Sequence, residues 1–174
     1  MRSEIMRSGM ARIFLITSVF VLVVVPTACS KSASRTIVSL AVDRSVKQGD
    51  MFAVEVRIST DTACRGAQFE LTFDPALMRC DGVVEGSFFK DWANANGCTT
   101  LMYPESRTID NIQGHVSTVG IAIIGTTQGG VEGSGVLCSY DFTALADGEA
   151  EPTLSGVVVA DSSGQTIPDV EIRN

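Results

Sequence analysis

The sequence predicts an all-β fold, and two observations support that prediction. Short segments in which apolar and polar residues alternate recur along the chain, which is the pattern of strands with one buried face. Turn residues such as Gly, Asp and Pro separate these segments, and no longer stretch has the apolar spacing of an amphipathic helix. About nine short strands in this arrangement indicate a β-sandwich or a barrel.

The strand pattern is clearest in the first half of the chain. Apolar residues occupy every second position of Phe52–Ile58, and again of Phe69–Phe73, where Asp74 and Pro75 begin a turn. The segment Phe88–Ala95 is compatible with a single helical turn. Further strands are predicted at Ile37–Val42, Met78–Val84, Thr99–Tyr103, Val116–Ile124, Gly135–Leu145, Thr153–Ala160 and Ile167–Ile172.

The first residues have the features of a secretory signal. Three arginines precede the apolar run Ile13–Val25, which is shorter than the about 20 residues that cross a bilayer core. The small residues that follow, ending in Cys29, resemble the lipobox of bacterial lipoproteins, with Pro26 at a position where that motif usually has an aliphatic residue.

These features predict the organisation of the chain. We expect a signal peptide over residues 1–28, a lipidated Cys29 with a short tether over 29–36, and one domain over 37–174. The protein would then be exported and held by a lipid anchor in a membrane, at the cell surface or outer envelope. The alternative is a soluble secreted protein that is cut near Ala28.

Charge and cysteine content narrow the range of partners. The chain has a formal net charge of −7 at pH 7 and no basic stripe, so we predict no nucleic-acid partner. An even number of cysteines follows Cys29, which favours disulfides in an oxidising compartment, although a buried free thiol suits Cys138 equally well. The sequence leaves the pairing open among the candidates Cys64, Cys80, Cys98 and Cys138.

Catalytic groups are scarce. His115, the single histidine, lies in a predicted turn. No serine lies in a nucleophile elbow, because Ser134, between Gly133 and Gly135, lacks the flanking spacing. The acidic residues lie mostly at turns, where such side chains bond their own backbone. We predict that the chain is not an enzyme and that it uses neither a metal nor another cofactor.

Five motifs, in order, resemble the cohesin domain family across Ile37–Ile172. They are Val46–Asp50 with the strand after it, Gly66–Leu77, Thr100–Glu105 with its tyrosine-proline pair, Gly135–Phe142, and Leu154–Val157 with Asp161–Gly164. The resemblance implies a nine-stranded sandwich of jelly-roll topology, related in fold to cellulose-binding modules. It also implies binding of dockerin modules, which enzymes that degrade plant polysaccharides typically carry.

The resemblance further implies that the partner lies against a sheet formed by the third, fifth, sixth and eighth strands. With Gly135–Leu145 counted as the eighth strand, alternation then selects the outward residues of those four strands. Tyr103 matches a family tyrosine, and we expect it to form an exposed apolar patch with Ala122, Ile124 and Leu137. The expected contacts are Gln68, Glu70, Thr72, Tyr103, Ala122, Ile124, Leu137, Ser139 and Asp141.

Three functions follow as hypotheses. The first is a binding module that displays a dockerin-bearing or other extracellular protein at the cell surface, with a possible link to polysaccharide degradation. The second is a carbohydrate-binding module of the same sandwich fold, for which Trp92, Phe88, Phe89 and Tyr103 are the available aromatic side chains. The third is a structural or adhesive envelope protein without a dockerin partner.

Overall fold

The computed structural model describes residues 35–42, 44–103, 109–126 and 129–174. These residues lie within one folded unit, Ala33–Asn174. The predicted signal peptide, Cys29 and most of the tether lie outside the described residues. The elements in chain order are β1 (Thr36–Val42), β2 (Ser45–Val46), β3 (Met51–Thr72), β4 (Met78–Glu85), α1 (Ser87–Ala95), β5 (Thr99–Tyr103), β6 (Ile109–Asp110), β7 (His115–Ile124), β8 (Val131–Ala144), β9 (Gly148–Glu149), β10 (Thr153–Asp161) and β11 (Glu171–Arg173).

The long strand β3 takes part in both layers of a β-sandwich. Its first half pairs with β1 on one side and with β8 on the other, and β8 pairs in turn with β4. The short strand β11 extends this layer by running parallel to β1. We call this five-stranded layer, in the order β11–β1–β3–β8–β4, the back sheet.

The second half of β3 belongs to the other layer. There it lies between β10 and β7, and β5 pairs with the far side of β7. We call this four-stranded layer, in the order β10–β3–β7–β5, the front sheet. The two layers have five and four strands when β3 is counted once in each. This agrees with the predicted nine-stranded sandwich, in which the two halves of β3 are the separate strands Phe52–Ile58 and Phe69–Phe73. The small strand β6 also pairs with β7, and β2 and β9 form a separate pair.

Alternation along β3 builds the core between the sheets. Val54, Val56 and Ile58 of its first half are at most 2% exposed, and Phe69 and Leu71 of its second half are fully buried. Burial of such side chains is worth about 1.5–3 kcal/mol each, which makes this strand the centre of the hydrophobic core. The larger buried partners from other elements include Val38, Met78, Phe89, Val119, Ile121, Tyr140, Phe142 and Val159.

The region between β4 and β5 is more helical than the sequence predicts. Instead of a single turn, Ser87–Ala95 forms a nine-residue α-helix. Phe88, Phe89 and Ala93 lie on its buried side, spaced so that they face the core together. Tertiary packing of this apolar side stabilises a helix too short to be stable alone. No helix within the described ranges is long and apolar enough to cross a membrane.

Candidate partner-binding face

The outward surface of the front sheet, here called the front face, brings together six of the nine predicted contact residues. Gln68 pairs with Gly120 of β7, which pairs with Tyr103 of β5, so these residues share one row across the sheet. Ala122 and Ile124 continue along β7 on the same side. Glu70 and Thr72 continue along β3, where Thr72 is exposed and Glu70 is half-buried.

A shallow groove of about 310 Å³ crosses the centre of the front face. Its floor contains the small residues Gly66 and Ala122, which face each other in one row, and Gly120, which faces Gln68 in the next. On the β5 side the groove is bordered by Leu101, which is 55% exposed, and Tyr103, which is 72% exposed. All residues that line the groove are uncharged: Gly66, Ala67, Gln68, Leu101, Tyr103, Gly120, Ile121, Ala122, Val158 and Ala160.

A polar cluster borders the groove along β3. Glu70 Oε1 accepts a hydrogen bond of 3.0 Å from Thr118 Oγ1, and Glu70 Oε2 lies 3.6 Å from His115 Nε2. His115 is the first residue of β7 and lies in a strand rather than in the predicted turn. The front face therefore combines an apolar centre with one carboxylate-imidazole pair at its margin.

The prediction that Leu137 faces outward is wrong. Leu137 is 1% exposed, and its neighbour Cys138 is fully buried. The register between β3 and β8 shifts at this point, since Val56 pairs with Cys138 but Arg57 pairs with Val136. Leu137 is the extra residue of a β-bulge, which breaks the alternation and lets two consecutive side chains enter the core.

The prediction that Ser139 and Asp141 share a surface with Gln68 is also wrong. Strand β8 belongs to the back sheet, where Ser139 pairs with Glu55 and Asp141 pairs with Ala53. Both point outward, but from the opposite side of the sandwich. The strand beside β3 in the front sheet is β10, which contributes Val158 and Ala160.

Sequence reasoning therefore missed Val158, Ala160 and Leu101 as residues of the front face. The apolar run Val157–Ala160 indicates the missed surface of β10. All four residues are apolar, so the outward face of this strand is apolar as well as the inward one. Leu101 follows from the correctly predicted strand Thr99–Tyr103, since it lies on the same side as Tyr103.

The four cysteines of this unit are free thiols rather than disulfides. Cys64 donates a hydrogen bond of 3.3 Å to the Val131 carbonyl, and burial raises the pKa of its thiol to about 12. Burial likewise raises the pKa of Cys80 to about 11 and raises that of Cys138. Three of the four candidates are therefore buried thiols, and Cys98 is half-buried. Among the described residues, no group of three or more His, Cys, Asp and Glu side chains is placed to hold a metal ion.

Two of the four aromatic side chains considered for sugar stacking are buried, and a third is partly buried. Phe88 is 7% exposed and Phe89 is 1% exposed, and Trp92 packs against the core from α1. In the part of the chain that the structure describes, Tyr103 is the one large aromatic side chain that is exposed. The front face thus lacks a planar set of aromatic rings within the described residues.

Several solved structures of similar fold are cohesins. A non-cellulosomal cohesin from the archaeon Archaeoglobus fulgidus is 20% identical, with a TM-score of 0.56 over 80% of this chain and 87% of that one. A type II cohesin domain from the cellulosome of Acetivibrio cellulolyticus is 13% identical, with a TM-score of 0.60 over 80% of this chain and 92% of that one. The sixth cohesin of scaffoldin B from the same organism, solved in complex with a mutant Cel5 dockerin, is 17% identical, with a TM-score of 0.57 over 80% and 94% of the two chains.

The sequence itself gives the assignment to a family. No curated protein sequence matches the chain. The family model of the cohesin domain matches residues 38–174, which span both sheets of the sandwich. The protein belongs to the cohesin domain family.

Proposed function

We propose that this protein is a non-catalytic module that binds a dockerin-bearing protein through its front face. The observation that carries the proposal is the uncharged groove bordered by the exposed side chains of Leu101 and Tyr103. Support also comes from cohesins of similar fold that were solved in complex with dockerins.

The composition of the front face suits association with a protein surface. Tyrosine is enriched among the residues that contribute most to binding at interfaces, and Tyr103 is 72% exposed. The glycine and alanine floor of the groove allows the backbone or a bulky side chain of the partner to approach the sheet closely. Together with Ile124, which is 41% exposed, these residues form an apolar patch that a folded partner would cover.

Binding to purified dockerin modules tests this proposal. The modules are taken from the genome that encodes this chain, and their affinities are measured by isothermal titration calorimetry. We expect Tyr103→Ala to weaken the binding of a recognised module by about 2 kcal/mol, as for an interface anchor. Met51→Ala is the matched control, because Met51 is 85% exposed but lies in the back sheet. Absence of binding to every module would refute the proposal, as would equal losses for the two variants.

We further propose that the protein is exported and displays its partner at the cell surface through a lipid on Cys29. The basic start, the short apolar run and the cysteine at the end of the signal support this placement. Mass spectrometry of the membrane fraction should find an acylated N-terminal Cys29, and Cys29→Ser should release the protein or leave its precursor uncut. An unmodified protein that begins after Ala28 would instead indicate secretion. A role in polysaccharide degradation is a further prediction, which the catalytic domains attached to the bound dockerin would test.

A further inference from the structure

The two strands beside Glu70 are both irregular where they pass it. On one side, Phe69 pairs with Val119 and Leu71 pairs with Val116, so two residues of β7 lie opposite Glu70 alone. On the other side, the register of β10 shifts between Ser155 and Val158. Bulges of this kind redirect side chains and are common beside functional sites. Glu70 therefore lies at a locally rebuilt position of an otherwise regular sheet.

These bulges determine what surrounds the Glu70 side chain. The bulge in β7 presents Thr118, whose hydroxyl donates to Glu70 Oε1 at 3.0 Å. The bulge in β10 contains Gly156 with a φ of +60°, and a Cβ added there would lie 3.4 Å from Glu70 Cγ. Glycine has no side chain and adopts the left-handed conformation without strain. Gly156 therefore leaves room on β10 for the Glu70 carboxylate to lie against the sheet. The second oxygen, Oε2, faces His115 Nε2 at 3.6 Å.

The contact between Glu70 and His115 is weak enough to be exchanged. The distance of 3.6 Å exceeds that of a good charge-assisted hydrogen bond, and the two side chains are 39% and 35% exposed. Within the described ladder, Asp110 of β6 is the ionisable residue directly opposite His115. Asp110 Oδ1 already accepts the backbone N–H groups of Ile112 and Gln113. The remaining neighbours in this row, Thr72 and Thr153, carry no charge.

Glu70 is also close to the groove. It lies two residues from Gln68 along β3, so its side chain emerges about 7 Å from that of Gln68, which lines the groove. A partner that covers the groove would bring its own side chains over this carboxylate. A neutral partner group there would leave the carboxylate partly desolvated, with Thr118 and His115 as its partners among the described residues. A cationic group would instead compensate its charge.

We propose that Glu70 determines the specificity of the front face by pairing with a lysine or arginine side chain of the bound dockerin module, in competition with His115. This inference rests on the proposed function. When His115 is neutral, the carboxylate is available to the cation of the partner. When His115 is protonated, it neutralises Glu70 and repels that cation, so the affinity is lower at acidic pH.

The test measures the Kd of a recognised dockerin module by calorimetry at about pH 8 and about pH 5.5. With the wild-type chain we expect the Kd to rise about three- to five-fold at the lower pH. Glu70→Gln should raise the Kd about tenfold at the higher pH and remove most of the pH dependence. His115→Gln should keep the affinity at the higher pH and also remove the pH dependence.

Two controls keep the inference separate from the proposed function. Glu55→Gln makes the same change on the same strand, but Glu55 lies on the back sheet beside Arg57, so affinity and pH dependence should stay as in the wild type. A charge exchange completes the test. Glu70→Lys should lose the wild-type module and regain a module in which the paired basic residue is replaced by glutamate.

The outcomes are distinct. If Tyr103→Ala weakens binding while Glu70→Gln does not, the proposed function stands and this inference is overturned. It is also overturned if His115→Gln keeps the full pH dependence, or if the charge exchange restores nothing. If no dockerin module binds, the proposed function fails and the inference fails with it.

Discussion

The burial of Leu137 can be tested by its contribution to stability. Leu137→Ala removes three carbon atoms from a side chain that is 1% exposed. At about 0.8 kcal/mol for each buried methylene, the transfer cost alone is about 2.5 kcal/mol. The surroundings have little freedom to close the space, because the Gly86 N–H donates to the Leu137 carbonyl at 2.8 Å and a Cβ on Gly86 would lie only 2.9 Å from Leu137 C. With the cavity that remains, we expect a loss of about 3–4 kcal/mol in the free energy of unfolding.

Urea unfolding, followed by the fluorescence of Trp92, measures this loss. Leu101→Ala is the matched control, because the same atoms are removed from a side chain that is 55% exposed. We expect this control to cost at most about 0.5–1 kcal/mol, as is usual for surface positions. Equal costs for the two variants would refute the bulge at Leu137 and would return this residue to the surface that simple alternation assigns to it.

Three further predictions concern the same unit. Gly86→Ala should destabilise the fold by about 2 kcal/mol, since its Cβ would overlap a backbone carbonyl of β8. Gly82→Ala in the preceding strand β4 meets no atom within 4 Å and should be tolerated in urea unfolding. Peptide-resolved thiol labelling of the folded domain at about pH 8 should modify Cys98 well before the three buried cysteines, because burial keeps those thiols protonated. Equal labelling rates for all four cysteines would contradict the burial of the three. The pKa of Asp81 is lowered because its carboxylate accepts a 2.5 Å hydrogen bond from Thr143 and a second bond from Arg79. This stabilisation is present above the ordinary carboxyl pKa near 4 and is lost as the pH falls through the lowered pKa of Asp81. The difference in unfolding free energy between wild type and Asp81→Asn should therefore be constant at neutral pH and disappear in acid.

The alternation of apolar residues predicted most strands, because a half-buried strand imposes that pattern directly. The strand Thr99–Tyr103 has the predicted bounds, and those of β7 differ by one residue. The helix α1 was underestimated because it is short and owes its stability to the burial of Phe88 and Phe89, which a local pattern does not report. The assumption of disulfides came from the expected compartment and not from geometry.

The errors at the binding face have a different origin. A bulge at Leu137 shifts the alternation of β8 on the N-terminal side of Cys138, and nothing in the local sequence marks the extra residue. The assignment of Ser139 and Asp141 to the binding sheet counts Gly135–Leu145 as the eighth strand, but it is the seventh in the predicted order. The eighth is Thr153–Ala160, which lies in the front sheet as β10. Residues on β3, β5 and β7 were predicted correctly as one surface, because the family resemblance supplied the order of those strands and alternation supplied the outward side.

The central claim is that the partner binds the front face and not the back. One substitution on each sheet tests it directly, with the affinity for a dockerin module measured by calorimetry. Ala122→Arg places a long cation in the groove and should raise the Kd at least about tenfold, whereas Ser139→Arg on the back sheet should change it by less than about two-fold. If Ser139→Arg abolishes binding and Ala122→Arg leaves it intact, the partner binds the back sheet and the account is wrong.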